Sequence, residues 1–229
     1  MLIVLEGLDG AGKSTQVKRI KSYLESLPQG LNYIHFPRYD SPVYGGLITR
    51  FLKGEFGDNG TVHPQLVALL FAEDRKAAAQ EIRKSLAEGK NVLLDRYVYS
   101  NIAYQCAKVD DAQEAEELRD WIFNTEYKEF DIPKPDLNLF LDVPLSFVEE
   151  QLSSNRQGSD RAYLQGGRDI HEEDIRFQEK VRDIYRAQCE KDPEFIRIDC
   201  SDENGKMKGA DEIACMIRAV VQSALEVLA

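Results

Sequence analysis

The sequence predicts a three-layer α/β fold in which helices cover both faces of a parallel sheet. Short apolar runs alternate with helical patterns along the 229 residues, and this alternation is typical of a parallel sheet that is buried on both sides. The length suits one buried core better than two. We therefore expect one domain over residues 1–229, with strands at residues 2–5, 33–36, 92–94, 137–141 and 195–198.

Three helical stretches separate or follow these runs. An apolar stripe over residues 17–27 predicts a helix that a proline and a glycine end. A glycine-rich surface loop over residues 53–60 precedes a long helix over about residues 64–87. A second apolar stripe, over residues 213–228, predicts a C-terminal helix whose apolar face meets the core.

A segment over about residues 155–169 interrupts this regular pattern. It carries three arginines among glycines, which is typical of a lid that closes over a site, although an exposed basic loop has the same composition. The D-x-x-E pattern over residues 169–172 predicts a capping box that opens the next helix. The three arginines are Arg156, Arg161 and Arg168.

Composition and charge exclude several classes of function. A formal net charge of −11 argues against a nucleic-acid polymer as partner, whereas a small anion needs only a locally positive pocket. No apolar run is long enough to span a membrane, and residues 1–5 lack the basic start of a signal peptide. We therefore expect no membrane partner and a cytoplasmic location.

The cysteines and histidines give no sign of a metal or nucleophile site. The four cysteines form no C-x-x-C pair, and the three histidines lack metal-ligand spacing. We expect reduced, buried thiols and neither a zinc site nor a histidine-based triad.

The most informative stretch directly follows the first apolar run and has the pattern G-x-x-x-x-G-K-[ST]. Its glycines let successive backbone N–H groups point inward, and the following helix adds the positive end of its dipole. A polyphosphate cradle follows from this arrangement, with Lys13 near the β- and γ-phosphates, Ser14 on Mg²⁺ and Thr15 on the α-phosphate side. The stretch reads Gly7-Leu8-Asp9-Gly10-Ala11-Gly12-Lys13-Ser14-Thr15.

A carboxylate ends the third predicted strand. A P-loop enzyme needs such an acid on the Mg²⁺ side, so Asp95 is predicted to hold the metal through water. Arg96 follows at the carboxyl end of the strand, where ligands collect in open α/β sheets. A purely structural Asp-Arg pair is the alternative.

Further residues suit a nucleotide that accepts the phosphoryl group. Arg38 leaves the second strand where an anionic acceptor would lie, and Phe71 and Arg75 share one helical face because they are four residues apart. Taken singly, Phe71 could be a core residue and Arg75 a solvated charge. Together they favour a pocket for a base and a phosphate, to which the segment 100–105 contributes Ser100, Tyr104 and Gln105.

These motifs and their order resemble the thymidylate kinase family, whose members convert dTMP to dTDP with ATP. The resemblance covers nearly the whole chain. It rests on residues 5–16, on Phe36-Pro37-Arg38, on Leu70-Phe71-Ala72 with Arg75, on Asp95-Arg96-Tyr97 with Ser100, and on Lys134-Pro135-Asp136-Leu137.

The resemblance implies a homodimer whose five-stranded parallel sheet has the P-loop NTPase architecture, with ATP, dTMP and Mg²⁺ as ligands. It also implies a role for each acceptor residue. Phe71 stacks on thymine and Arg75 donates to a base carbonyl, Arg38 and Arg96 bind the acceptor phosphate, Asp9 meets the sugar 3′-hydroxyl, Tyr104 crowds the 2′ position, and Gln105 or Ser100 reads the base edge.

Some members of the family carry a basic residue inside the phosphate loop, where this chain has Gly10, and others supply an arginine from the lid. This chain resembles the second kind. Charge on the migrating phosphoryl group is then expected to be neutralised by Arg156 or Arg161, with Arg168 a weaker candidate. The predicted catalytic set is Lys13, Asp9, Arg96, Arg156 and Arg161.

Three alternatives to a dTMP kinase stay open from the residues. A deoxynucleoside kinase has a neutral hydroxyl acceptor, and enzymes of that group place a glutamate where this chain has Phe36. A monophosphate is mostly dianionic at neutral pH and needs no strong base. Another nucleoside monophosphate kinase is the second alternative, and a non-catalytic nucleotide switch is the third.

Overall fold

The computed structural model describes residues 1–154, 169–172 and 174–228. Its five strands form one sheet in which every neighbouring pair is parallel. The prediction of a parallel sheet is confirmed, and each predicted run lies within two residues of the observed strand. The strands are β1 Leu2–Gly7, β2 Leu31–His35, β3 Asn91–Asp95, β4 Leu137–Asp142 and β5 Phe195–Asp199, in the spatial order β2-β3-β1-β4-β5.

Helices connect the strands. They are α1 Lys13–Glu25, α2 Tyr44–Leu52, α3 Pro64–Ala87, α4 Val98–Cys106, α5 Ala112–Phe123, α6 Leu145–Ser153, α7 Ile175–Lys191 and α8 Ala210–Leu228, with a π-helical turn at Asn124–Glu129. One group pairs α1 with α8, and a second packs α3, α5 and α7 around α4. Both groups contact the sheet, as expected for strands that are buried on both faces. None of the described helices is long and apolar enough to cross a membrane.

Burial explains why the central strands are mostly apolar. Every residue of β1, β3 and β4 is buried, as expected of strands covered on both faces, and the few polar residues they carry, such as Glu6 and Asn138, are buried as well. All nine residues of α4 are buried as well, which is expected of a helix enclosed by other elements. The main core is therefore centred on β1, β3, β4 and α4, and the neighbouring helices and β5 add further buried side chains to it.

The prediction of a capping box at residues 169–172 is wrong. Helix α7 begins at Ile175, and its N-cap is Asp174, whose carboxylate accepts a 2.9 Å hydrogen bond from the Arg176 N–H. The Asp169 carboxylate instead accepts from the N–H of His171, two residues on, at 2.8 Å. Asp side chains form such local turns as readily as helix caps. The 155–168 part of the expected lid, with Arg156, Arg161 and Arg168, lies outside the described residues.

A second, smaller core lies beside the carboxyl ends of the strands. It joins α2 to α3 through Ile48, Phe51, Leu52 and Val67. Gly45, in the first turn of α2, packs directly on the 38–39 backbone, where an added Cβ would lie 2.4 Å from the Tyr39 carbonyl oxygen. This close approach fixes α2 against the segment that follows β2.

Candidate active site

The phosphate loop joins β1 to α1 and lies at the carboxyl edge of the sheet. Gly10 and Gly12 have φ angles of 75° and 71°, a left-handed conformation that glycine adopts without steric cost. Gly12 is the N-cap of α1 and has no side chain to cap the helix. The first N–H groups of α1 are therefore available to an anion.

Lys13 and Asp95 face each other beside this loop. The Lys13 Nζ lies 3.7 Å from the Asp95 Oδ1, and His35 Nδ1 lies 3.2 Å from the Asp95 Oδ2. Burial alone would raise the pKa of Asp95, but the charge of Lys13 and the hydrogen bond with His35 hold it well below its usual value. Burial and the charge of Arg96 lower the pKa of Lys13. Asp95 is therefore ionised at neutral pH.

The Oδ1 atom of Asp95 is available to a ligand. Among the described residues the buried Oδ1 accepts no hydrogen bond, and a buried acceptor without a partner is costly. Ser14 and Asp95 line the same open groove.

Arg96 directly follows β3 and is fixed by side chains from two other segments. Its φ angle is 69°, a conformation that non-glycine residues rarely adopt and that clusters at functional sites. Its guanidinium donates to the Asp9 Oδ1 at 2.6 Å and to the Ser100 Oγ at 3.1 Å. Tyr104 donates to the other Asp9 oxygen at 2.8 Å. Burial opposes ionisation of Asp9, but Arg96 and Lys13 hold its pKa at about 2.

Glu6 supports this arrangement from beneath, and the sequence analysis did not single it out. Its fully buried carboxylate accepts from the backbone N–H groups of Tyr97 at 2.9 Å and Ser100 at 3.1 Å, and from the hydroxyls of Ser100 and Tyr185. It therefore caps the start of α4 from a neighbouring strand. Burial raises the pKa of Glu6 despite the opposing hydrogen bond from Ser100 and charge of Arg96. A glutamate before the loop glycine was the available signal.

A cavity opens next to Arg96, with about 530 Å³ of empty space when the part open to solvent is included. Seven of the eight residues predicted to contact the acceptor line it, and the exception is Arg38. The seven are Asp9, Phe71, Arg75, Arg96, Ser100, Tyr104 and Gln105. The remaining lining comes from Phe36, Pro37, Tyr39, Leu52, Asn101, Asp169 and His171.

Arg75 reaches the cavity from α3 and is fixed by a buried ion pair. Its Nε and Nη2 atoms donate to the two carboxylate oxygens of Glu126, at 2.5 and 2.7 Å. Both side chains are buried. Asn101 donates to the same carboxylate at 2.9 Å. Glu126 and Asn101 are further site residues that local sequence patterns did not indicate.

Arg38 bonds to α3. Its Nε and backbone N–H donate to the two Asp74 oxygens at 3.1 and 2.9 Å, and its Nη2 donates to the Asp74 carbonyl at 2.8 Å. Asp74 is fully buried. The pair ties the segment after β2 to α3 at the edge of the cavity.

Two amide oxygens in the cavity wall accept no hydrogen bond from the part of the chain that the structure describes. Asn101 Oδ1 and Gln105 Oε1 are buried and receive no hydrogen bond from the described residues. Ser100, by contrast, already bonds to Glu6, Arg96 and Tyr185. The wall can therefore accept hydrogen bonds from a ligand N–H at Asn101 and Gln105.

Known proteins share this arrangement of loop, strands and helices. A model of the thymidylate kinase family matches residues 5–209. The thymidylate kinase of Mycobacterium tuberculosis is 33% identical over 186 residues, which cover 81% of this chain and 84% of that protein. A probable thymidylate kinase of Thermococcus kodakarensis is 32% identical over 208 residues, covering 89% of this chain and 91% of its own.

A solved structure gives the same result. The thymidylate kinase of Candida albicans superimposes with a TM-score of 0.72 and 30% sequence identity, covering 97% of this chain and 91% of its own. The family model and the relatives both extend over most of the chain. The chain therefore belongs to the thymidylate kinase family.

Proposed function

We propose that the chain transfers the γ-phosphoryl group of ATP to dTMP, giving dTDP and ADP. Membership of the thymidylate kinase family makes it a phosphotransferase that phosphorylates dTMP, with ATP as the donor. The observation that carries the assignment to this site is the cavity beside the phosphate loop, where Arg96 is fixed between Asp9 and Ser100. The Arg96 guanidinium lies there beside aromatic and amide side chains, which supports binding of a phosphate and a base.

The donor binds at the phosphate loop. The N–H groups of residues 7–15 and the uncapped start of α1 receive the phosphates. Lys13 neutralises the β- and γ-phosphates, and it is available for this because its only close carboxylate partner among the described residues, Asp95, lies 3.7 Å away.

The residues present fit a magnesium ion. Mg²⁺ is commonly held by one or two carboxylates together with substrate phosphates, and Asp95 supplies an ionised carboxylate whose buried Oδ1 accepts no hydrogen bond from the described residues. The Ser14 hydroxyl lines the same groove. When bound, the ion neutralises charge on the β- and γ-phosphate oxygens.

The acceptor binds in the cavity, with its phosphate near Arg96 and its base between α3 and α4. Phe71 stacks on the thymine ring, and Arg75 donates from the nitrogen that its pair with Glu126 does not use. Gln105 is the better reader of the base edge, because the Ser100 hydroxyl is already bonded. Asp9 accepts from the 3′-hydroxyl, and Tyr104 fills the space at the 2′ position.

These residues align two charged groups and do not provide a base. A phosphate monoester is mostly dianionic at neutral pH, since its second pKa is about 6, so its oxygen attacks without losing a proton to the protein. Phosphoryl transfer depends on alignment and on neutralising charge in a loose transition state. Arg38 and Arg96 neutralise the acceptor, and Arg156 or Arg161 neutralises the migrating group.

The assembly and location follow from the family resemblance and from the composition. We infer one domain over residues 1–229 with a lid over about residues 155–169, a homodimer, and a cytoplasmic location. Cross-linking and light scattering of the purified protein test the dimer.

The assay that tests the activity measures ADP release from ATP and Mg²⁺ with dTMP, dUMP, dGMP, thymidine or no acceptor. We expect release to depend on dTMP. Release without an acceptor would favour a nucleotide switch, and release with thymidine alone would favour a nucleoside kinase. Lys13→Ala is expected to abolish turnover while the protein stays folded, and near-normal kcat in that variant would refute its role.

A further inference from the structure

Lys108 is a partly buried lysine near the wall of the acceptor cavity, and the activity proposed above does not use it. Its Nζ atom is buried and forms no hydrogen bond with the described residues. The ammonium lies 5.0 Å from the centre of the Phe51 ring, in the range of a cation–π contact. Burial lowers the pKa of Lys108 to about 7, and the carboxylate of Asp169 opposes this shift. The side chain therefore changes charge near neutral pH.

The 169–172 turn connects this lysine to the cavity. Asp169 and His171 both line the cavity, and the His171 ring lies 5.7 Å from the Phe51 ring and 5.0 Å from the Tyr104 ring. The turn is attached to α2 by a 3.0 Å bond from the Ile170 N–H to the Leu52 carbonyl. A wall of aromatic rings and one turn thus separates the lysine from the space that dTMP would fill.

Among the described residues, the charged and titratable groups around Lys108 come from the 169–172 turn and from the groups beyond it. The turn contributes Asp169 and His171, and α2 contributes the Phe51 ring. Beyond His171 lie Asp9 and Arg96, whose charges both reach the imidazole. Burial and the charge of Lys108 place the pKa of His171 well below its usual value, so His171 is neutral at pH 7 and above.

We propose that Lys108 is a positioning residue for dTMP binding, which takes up a proton from solvent when the phosphate dianion enters the cavity. The ammonium then attracts Asp169 and holds the 169–172 turn against the cavity wall. The proposal rests on the function proposed above, since it requires a dianionic acceptor near Arg96. A dianion favours the charged form of a nearby lysine, and in the free protein burial favours the neutral form.

Binding of dTMP and protonation of Lys108 are linked, so a rise in the pKa of Lys108 on binding means that a proton is taken up. At pH 8 a lysine with a pKa of about 7 is protonated in about a tenth of the molecules. If bound dTMP raises the pKa of Lys108 to about 8, about half are protonated, so that binding takes up about 0.4 proton. The phosphate of dTMP is fully ionised at pH 8 because its second pKa is about 6, and His171 is neutral. Neither group exchanges a proton there.

Calorimetric titration of the protein with dTMP at pH 8, in two buffers of different ionisation enthalpy, measures this proton directly. We expect uptake of about 0.4 proton per dTMP in the unchanged protein and none in Lys108→Met. The matched control is Lys180→Met, which removes an exposed lysine that pairs with Asp110 and is expected to behave like the unchanged protein. Lys108→Arg stays charged at every accessible pH and is also expected to show no uptake.

Steady-state kinetics add a second measurement. The KM for dTMP is expected to rise several-fold between pH 7 and pH 9 with little change in kcat, and this rise is expected to disappear in Lys108→Met. Thermal unfolding is expected to show that Lys108→Met is folded and more stable at pH 7, because it removes a buried amine. A stable Lys108→Met protein would show that the lost pH dependence of dTMP binding is not caused by unfolding.

Equal proton uptake in the unchanged protein and in Lys108→Met would overturn the proposal, as would loss of uptake in Lys180→Met. If dTMP does not bind to the unchanged protein at all, the proposed function fails and this inference with it. Binding without proton uptake would overturn this inference alone.

Discussion

Replacing Glu126 by glutamine should destabilise the protein by an amount that the buried pair with Arg75 predicts. The exchange keeps the shape of the side chain and removes its charge, so the Arg75 guanidinium stays buried without a counter-ion. The side chains of Arg75 and Glu126 are only 3% and 0% exposed. Removing one partner of such a pair costs about 3–5 kcal/mol.

The cost is large compared with the stability of a typical domain, which is about 5–15 kcal/mol. For a chain of this size, each kcal/mol lowers the melting temperature by about 2–4 °C. We therefore expect Glu126→Gln to melt roughly 6–20 °C below the unchanged protein. Thermal and urea unfolding followed by circular dichroism measure both quantities.

An exposed pair in the same region gives the matched control. Arg83, also on α3, bonds to Asp131, and these side chains are 47% and 86% exposed. Because exposed ion pairs contribute about 0–1 kcal/mol, Asp131→Asn is expected to leave the melting temperature almost unchanged. Equal effects of the two substitutions would mean that burial does not decide the strength of the Arg75–Glu126 pair.

A double variant separates the fold from dTMP binding. Exchange of a buried ion pair for apolar side chains of similar volume is often neutral or stabilising, so Arg75→Met combined with Glu126→Leu should recover most of the lost stability. It should not recover the KM for dTMP, since the donor to the base is gone. A Glu126→Gln protein within about 1 kcal/mol of the unchanged one, with the same KM, would refute the reasoning.

Four further predictions concern the site and its support. Phe71→Ala should raise the KM for dTMP by roughly 3- to 10-fold with a smaller effect on kcat, since an aromatic stack contributes about 0.5–1.5 kcal/mol; an unchanged KM would place the ring in the core alone. The double substitution of Arg156 and Arg161 by alanine should lower kcat about 10³-fold at similar dTMP affinity, and full activity would remove the lid arginines from the mechanism. Because the folded-state pKa of Asp9 is about 2, below its unfolded value of about 3.9, its contribution to stability is complete above about pH 4 and is lost as the pH falls toward about 2. Urea unfolding of Asp9→Asn should therefore lack this part of the acid dependence. Gly45→Ala should separate α2 from the 38–39 backbone and lower both stability and dTMP affinity, as unfolding and steady-state kinetics would show; normal values would mean that α2 shifts without cost.

The sheet and the phosphate loop could be predicted from the sequence because their signals are local. A strand that is buried on both faces is mostly apolar at successive positions, and β1, β3 and β4 each contain such an apolar run. The loop needs glycines and a lysine at fixed spacing. In both cases a window of fewer than about ten residues contains all the physical constraints.

The supporting residues could not be predicted in this way because their partners are distant in the chain. Glu126 pairs with a residue 51 positions away, and Glu6 bonds to Tyr97 across 91 positions. Nothing near either glutamate indicates which groups it will bond to. Only the folded arrangement of β1, α3 and α4 brings these groups together.

The wrong helix start at residues 169–172 has a different cause. The D-x-x-E pattern satisfies the local rule for a cap, yet the Asp169 side chain bonds to the N–H two residues on, and a second aspartate begins the helix five positions later. Either Asp residue could cap the helix by local rules. Asp174 does so, whereas Asp169 lies with His171 in the wall of the cavity. The local pattern carries no information about that wall.

The complete burial of α4 limits how substrate preference can change in this protein. All nine residues of α4 are buried, and the helix both lines the cavity and packs against α3, α5 and α7, so an exchange that alters the cavity also disturbs that packing. Few substitutions on this helix can therefore make room for a bulkier base. Variants selected for a new nucleotide should instead collect changes at Phe71, which lines the cavity and is only partly buried.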